Sequence, residues 1–121
     1  MSAVIEKHDH HHGPQKGILR WLFTTNHKDI GTLYLWFSFL MFLTGGAMAM
    51  GIRAELFEPG LQLMDPIRYN QLVTMHGLIM IFGGVMPAFV GLANWLIPMQ
   101  VGAPDMELPR MNNLSFCLLP A

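Results

Sequence analysis

The chain of 121 residues is 52% hydrophobic and only 12% charged, whereas soluble domains carry about 25% charged residues. Seven Lys and Arg against eight Asp and Glu give a formal net charge of −1, so no basic surface for nucleic acid is expected. The single cysteine cannot close a disulfide within the chain, and no Cys or His spacing resembles a zinc site. This composition argues against an ordinary soluble domain.

Residues 1–29 are the first predicted segment, which is flexible, cytoplasmic and ends in an interfacial stretch. Four histidines cluster within residues 8–12, in a composition that cannot bury enough apolar area to become ordered. These histidines could bind a metal ion, but without a second set of ligands no defined geometry results.

The first long apolar stretch contains no charged residue from Ile30 to Ile52. In a helix these residues would span about 35 Å, which exceeds a hydrocarbon core of about 30 Å. We therefore predict a first transmembrane helix at residues 30–53 and an outer loop at residues 54–70. The small residues around Gly45 indicate close approach of another helix or of a ligand.

A second uncharged stretch predicts a second transmembrane helix at residues 71–100, followed by an inner loop at 101–113 and the start of a third helix at 114–121. Those last eight residues cannot cross a bilayer, because a span needs about 20. The expected fold class is therefore all-α, a polytopic transmembrane helix bundle represented by its first two spans and the start of a third. A short interfacial helix at the C-terminus is the alternative.

Basic residues near the span ends predict the orientation of the chain. Four of them flank the two spans on the N-terminal and inner-loop side, against two in the outer loop. Because Lys and Arg accumulate on the cytoplasmic side, we expect a multi-pass integral membrane protein with a cytoplasmic N-terminus.

His76 is the most informative single residue, since ionisable side chains within membrane spans are rare and need a partner or a metal. Met80, Gly83 and Pro87 continue its face at helical spacing, and a glycine there would leave room for a flat ligand. Imidazole is a common axial ligand of haem iron. Two interpretations stay open from the residues alone, a haem ligand or a histidine satisfied by a carbonyl or hydroxyl of a neighbouring helix.

Arg53 ends the first span at a depth that should be comparable to that of His76. A guanidinium there could donate hydrogen bonds to a carbonyl or carboxylate of a bound ligand. The alternative is a boundary arginine whose charge extends to the membrane interface.

The segment after the second span places Asp105 near three amide side chains, Asn94, Asn112 and Asn113. A carboxylate at the inner mouth of the spans can collect protons, and amides can hold a file of water because they both donate and accept hydrogen bonds. The alternative is a loop carboxylate with asparagines that cap the next helix.

Four ordered stretches resemble subunit I of the haem-copper terminal oxidases, most closely the cytochrome c oxidases. They are WLFTTNHKDIGTLY at 21–34, IRAEL at 52–56, TMHGLIMIF at 74–82, and the segment 102–113 with GAPDM and PRMNN. Four long matches in order are far more specific than one short motif. They identify the chain as an N-terminal piece of a member of this family.

The resemblance implies that His76 is one axial ligand of the low-spin haem a and that Arg53 contacts the formyl group of that haem. It also implies that Asp105 stands at the entrance of a proton-uptake path. Asn94, Asn112 and Asn113 would line that path.

Glu55 and the backbone of Gly60 match a peripheral calcium or sodium site of many members, in keeping with the preference of hard cations for oxygen ligands. The high-spin haem and the copper would be held in the complete subunit only. None of the residues of this chain is implied to be catalytic.

The function implied by the resemblance is that of the catalytic subunit of a cytochrome c oxidase in a bacterial inner membrane. Such an enzyme reduces dioxygen to water with electrons from cytochrome c and couples this to proton translocation; the chain alone would be inactive. The implied partners are cytochrome c, the lipid bilayer and other oxidase subunits, including the copper-carrying subunit through which electrons arrive. The alternatives are a quinol oxidase of the same superfamily, a haem-free proton-coupled transporter, or a purely structural or assembly role.

Two departures from the family pattern bear on the proton path. The interval between Pro87 and Asn94 is one residue shorter than in familiar members. On an ideal helix Asn94 would share the face of His76, unless a bulge or local unwinding lies near Gly83 to Pro87. Glu107 replaces a usually small residue and could share proton collection at the entrance.

Overall fold

The computed structural model describes residues 17–104 and 106–121, and its regular elements are all helical. In chain order they are α1 Ile18–Leu22, α2 His27–Glu55, α3 Pro66–Leu78, a π-helical segment Ile79–Val85, α4 Met86–Val101 and α5 Pro109–Leu118. The predicted all-α class is confirmed. The predictions for residues 1–16, including the histidine cluster, and for Asp105 lie outside the described residues.

Two helices are long and apolar enough to cross a membrane. One is α2, with 29 residues and a mean hydropathy of 1.7, and the other is the continuous stretch Pro66–Val101, with 36 residues and a mean hydropathy of 1.8. Only 11% of the most apolar window of each is buried within the described chain, whereas the core helix of a soluble protein is mostly buried. These helices are therefore suited to contact lipid or further membrane helices.

Capping residues set the helix ends, which differ by a few residues from the predicted boundaries. The side chain of Asn26 accepts a hydrogen bond from the backbone N–H of Lys28 at 3.1 Å and so starts α2 before the predicted boundary. Proline is the first residue of both α3 and α5, a position that does not need its missing N–H. Helix α4 ends at Gly102, whose φ of +73° favours glycine. Helix α5 begins five residues before the predicted start of the third helix.

Helix α2 lies antiparallel to the stretch Pro66–Val101, and glycines allow the two backbones to approach closely. A Cβ added to Gly91 would lie 2.9 Å from the carbonyl oxygen of Gly31, and one added to Gly45 would lie 2.9 Å from Cγ of Met80. The predicted close approach of another helix at Gly45 is confirmed. Small residues are favoured at such contacts because membrane helices associate through packing.

The π-helical segment lies just before Pro87. The backbone N–H of Met86 donates to the carbonyl of Ile81, five residues earlier. Proline cannot donate to the carbonyl four residues before it, and its ring clashes with that carbonyl in a regular α-helix. A wider turn relieves this conflict, so the bulge considered near Gly83 to Pro87 is present.

The buried core of the described chain lies at the N-terminal end of α2, where α4 and α5 pack against it. Ile30 and Tyr34 are its two buried large apolar side chains. The ring of Phe116 on α5 meets the ring of Tyr34 edge to face, with centroids 5.1 Å apart. This packing fixes the position of α5 relative to the two long helices.

Candidate functional site

His76 lies half-buried on α3, where its side chain contacts the backbone of α2. Its Nδ1 is 2.8 Å from the carbonyl oxygen of Gly45. A carbonyl only accepts hydrogen bonds, so Nδ1 must carry the proton in this contact. In a neutral imidazole with this tautomer the lone pair lies on Nε2, which has no hydrogen-bond partner among the described residues.

This contact is compatible with both interpretations of His76, because a metal-ligating histidine ordinarily donates its other N–H to a carbonyl or carboxylate. The Gly45 carbonyl would fix both the tautomer and the orientation of the ring. In residues 17–104 and 106–121, no group of three or more His, Cys, Asp and Glu side chains could hold a metal ion. A metal bound by His76 therefore needs most of its ligands from elsewhere, which fits haem, since the macrocycle supplies four.

Open space lies beside the His76–Gly45 contact. A Cβ added to Gly46 or to Gly77 would meet nothing within 4 Å. The expectation that Gly83 leaves room for a flat ligand is wrong, because a Cβ there would lie 3.0 Å from Cβ of Met41 on α2. That glycine serves the contact between helices, whereas the free space lies at the two neighbouring glycines.

Arg53 is exposed at the C-terminal end of α2 and forms no ion pair with the other described residues. Eight residues, or about 12 Å of helix, separate it from Gly45, the residue that contacts His76. The described residues show no contact between Arg53 and His76, and their comparable depth stays a prediction. Any group bound at His76 would have to extend along α2 to meet this guanidinium.

Glu55 accepts hydrogen bonds from the loop between α2 and α3 and is only 5% exposed. One carboxylate oxygen accepts the N–H of Gln62 at 2.9 Å, and the other accepts those of Leu63 and Met64 at 2.8 and 3.0 Å. These three hydrogen bonds occupy most of the acceptor positions of the carboxylate. Gly60 lies at a turn with φ of +111°. The contacts give no support to a calcium or sodium ion here.

The Glu55→Gln substitution should loosen this loop, because an amide has one acceptor oxygen and its NH₂ would face a backbone N–H. We expect faster hydrogen exchange at Gln62, Leu63 and Met64, measured by mass spectrometry on the complete protein. Glu58→Gln is the matched control, since the exposed Glu58 carboxylate bonds only a side chain, that of Gln62. Equal exchange in both variants would show that Glu55 does not hold the loop.

Asn94, which is buried, and Asn112, which is half-buried, form an amide pair between α4 and α5. Nδ2 of Asn112 donates to Oδ1 of Asn94 at 3.0 Å and also lies 3.1 Å from the sulfur of Met106. Asn94 is only 3% exposed. Asn113 is separate from this pair, because its Nδ2 donates to the backbone carbonyl of Thr24 at 2.9 Å. None of these asparagines caps α5, which excludes the capping alternative.

A chain of hydrogen bonds continues from the amide pair to a tyrosine of α2. The hydroxyl of Ser115 donates to the backbone carbonyl of Asn112 at 2.7 Å and lies 2.8 Å from the hydroxyl of Tyr34. Sequence reasoning missed both hydroxyl residues. The spacing of three between Asn112 and Ser115 was an available signal, since it places them on one helix face.

Of the acidic residues of the inner loop, the described Glu107 makes no hydrogen bond to Asn94, Asn112 or Ser115. Asp105 lies outside the described residues. Glu107 is exposed and lines a shallow cavity together with Val101, Ala103 and Leu108. The Asn94–Asn112 pair lies next to the inner loop, because Asn112 contacts Met106 of that loop.

Comparison with known proteins decides the family. Residues 29–121 match the family model described as cytochrome c and quinol oxidase polypeptide I. The chain belongs to this family. The chain is 50% identical over 105 residues to "Probable cytochrome c oxidase subunit 1-alpha" of Streptomyces coelicolor, covering 87% of this chain and 18% of that protein.

Other relatives of this oxidase family carry similar names. Cytochrome c oxidase subunit 1 of Corynebacterium diphtheriae is 47% identical over 106 residues, covering 86% of this chain and 19% of the relative. The protein of the same name from Corynebacterium glutamicum is 44% identical over 127 residues, covering 96% and 22%. The chain spans about a fifth of the length of the curated relatives that it matches.

Membership of the oxidase family indicates the general kinds of cofactor and partner. The family implies haem and copper as cofactors in general and other oxidase subunits as partners. Together with two apolar helices of membrane-spanning length, it makes the chain part of an integral membrane protein. The match gives no support to a haem-free transporter.

Proposed function

We propose that this chain is part of the catalytic subunit of a cytochrome c oxidase, which reduces dioxygen to water and couples the reaction to proton translocation. The observation that carries the proposal is the His76 imidazole, whose Nδ1 is held by the Gly45 carbonyl at 2.8 Å while Nε2 has no described partner. The names of the relatives support cytochrome c as the electron donor.

His76 would hold the iron of a low-spin haem a through Nε2. That haem would supply one-electron transfer between the electron donor and the oxygen-reducing centre. The Gly45 carbonyl would orient the imidazole plane and raise the basicity of Nε2. Arg53, with its exposed guanidinium at the end of α2, would donate hydrogen bonds to the formyl group at the haem edge.

The inner end of the chain would take up protons. Asp105 would be the entrance, and Asn112 and Asn94 would hold water through their amide groups. We add Tyr34 and Ser115 to this path, because the hydrogen bonds described above connect them to Asn112. Asn113 and Glu107 would act at its margin, the first by tying α5 to Thr24 and the second by collecting protons.

The Asp105→Asn variant should slow proton uptake while both haem spectra remain intact, since an amide cannot release a proton at neutral pH. A reduction of about 100-fold in the rate is expected from the loss of a positioned proton carrier. The measurement is the uptake rate of a pH dye by the reduced oxidase after oxygen is added. Glu107→Gln is the control. If that variant slowed uptake and Asp105→Asn did not, the entrance would be Glu107.

The proposed location is the inner membrane of a bacterium, with the N-terminus cytoplasmic. The relatives come from Streptomyces and Corynebacterium, and the basic residues are concentrated on the proposed inner side. The proposed partners are a copper-carrying subunit that receives electrons, cytochrome c and the lipid bilayer.

The proposal is tested by purifying the complete oxidase and recording its reduced-minus-oxidised spectrum and its oxygen consumption. We expect a haem a band in stoichiometric amount and rapid turnover with reduced cytochrome c. Faster turnover with a quinol would favour the quinol oxidase alternative. A protein without haem would contradict the proposal.

A further inference from the structure

Ser38 lies in the middle of α2, and its hydroxyl donates a hydrogen bond to another helix. The hydroxyls of Thr32 and Thr44 on the same helix donate to carbonyls four residues earlier in α2, which is the usual local choice. The buried hydroxyl of Ser38 instead donates to the carbonyl of Gly84, inside the π-helical segment. Ser38 therefore joins the two long helices through a side-chain hydrogen bond to the backbone.

The accepting carbonyl of Gly84 lies where glycines and a proline interrupt the regular α-helix. Two glycines, which have low helix propensity, stand just before Pro87, and the hydrogen-bonding ladder changes from four-residue to five-residue spacing. Such a change disturbs the pairing of carbonyls, and an unpaired carbonyl is costly in an apolar membrane setting. The Ser38 hydroxyl supplies the Gly84 carbonyl with a donor from outside this ladder.

The π-helical segment determines how far α3, which precedes it, is rotated relative to α4, which follows it. The residues that face α2 include His76, Gly84 and Gly91. With steps of about 3.5 residues, as in packed helices, the interval from His76 to Gly91 is one residue too long for four steps. The π-helical segment absorbs that residue, which otherwise corresponds to about 100° of rotation.

We propose that Ser38 is a positioning residue for both functional ends of this helix. Its bond to Gly84 holds the π-helical segment, and the segment lets His76 meet Gly45 on α2 while Asn94 meets Asn112 on α5. The inference rests on the proposed function, because it gives haem ligation and proton uptake a common support. Ser38 itself touches neither group.

The test compares Ser38→Ala, Ser38→Thr and Thr44→Ala in the complete oxidase. We expect Ser38→Ala to shift the low-spin haem band and to slow proton uptake about 10-fold, the loss typical of a residue that orients a ligand. Ser38→Thr keeps the hydroxyl and should restore both properties. Thr44→Ala should change neither, although Thr44 is adjacent to Gly45, because its hydroxyl bonds its own helix.

A structure of each variant separates this inference from the proposed function. If Ser38→Ala retains the bond from the Met86 N–H to the Ile81 carbonyl, the inference is overturned whatever the haem does. Wild-type haem and proton uptake in Ser38→Ala overturn it as well, as does a change in only one of them. If Ser38→Ala fails to assemble and Ser38→Thr assembles, the hydroxyl is required as proposed; failure of both overturns it. A haem spectrum that survives His76→Ala would refute the proposed function alone.

Discussion

The His76→Ala variant is expected to lose the low-spin haem, and with it more than about 100-fold of the oxidase turnover. Removing the imidazole would remove the proposed ligand of the haem iron, and even residues that only orient such ligands contribute about 10- to 100-fold. The measurement is the haem content per protein together with the reduced-minus-oxidised spectrum of the purified complete enzyme.

Imidazole rescue distinguishes loss of the ligand from general misfolding. Exogenous imidazole can occupy the space vacated by the side chain and should restore a low-spin spectrum in part. Thr74→Ala, two residues away, is the matched control, because the exposed Thr74 hydroxyl bonds only the carbonyl of Asn70. A wild-type haem spectrum in His76→Ala would refute the ligand assignment.

Much of the fold follows from the sequence because it depends on local composition. Uncharged stretches longer than a bilayer is thick predict the two long helices. The sequence also indicated that Asn94 and Asn112 lie near each other, because polar amides near the inner end of a span need partners. These features require no knowledge of how distant parts of the chain meet.

The parts that the sequence did not predict depend on contacts between elements. The pairing of His76 with the Gly45 carbonyl follows from the register of two helices. The role of Gly83 depends on Met41 facing it across the helix interface. The three hydrogen bonds that Glu55 accepts were not predicted, because nothing in its own stretch shows that backbone N–H groups of the following loop fold back toward it.

Side-chain partners on different helices are equally hard to predict. Tyr34 and Ser115 are distant in sequence, so their contact at 2.8 Å appears only once α5 is placed. The pairing of Ser38 with Gly84 likewise depends on the π-helical segment. Polar residues within apolar helices are a warning that such partners exist, but they do not identify the partner.

Substitution of Gly91 tests the closest approach between the two long helices and should have the second largest effect. A Cβ at Gly91 would lie 2.9 Å from the Gly31 carbonyl oxygen and 3.1 Å from Cβ of Tyr34. Backbone atoms cannot yield as flexible side chains can, so the helices must separate. Overpacking of this kind costs about 1–3 kcal/mol, and separation would also strain the neighbouring Asn94.

We expect Gly91→Val to lower the temperature at which the assembled oxidase loses its haem absorbance, and Gly91→Ala to lower it less. Ala47→Val is the control, because it introduces the same β-branched side chain at an exposed position of α2. The graded loss follows from the size of the added side chain, since each added carbon must displace the Gly31 backbone further. Equal thermal stability of the Gly91 variants and the wild type would mean that the helices lie farther apart than described, and the contacts that α2 makes with Asn94 and His76 would then lose their support.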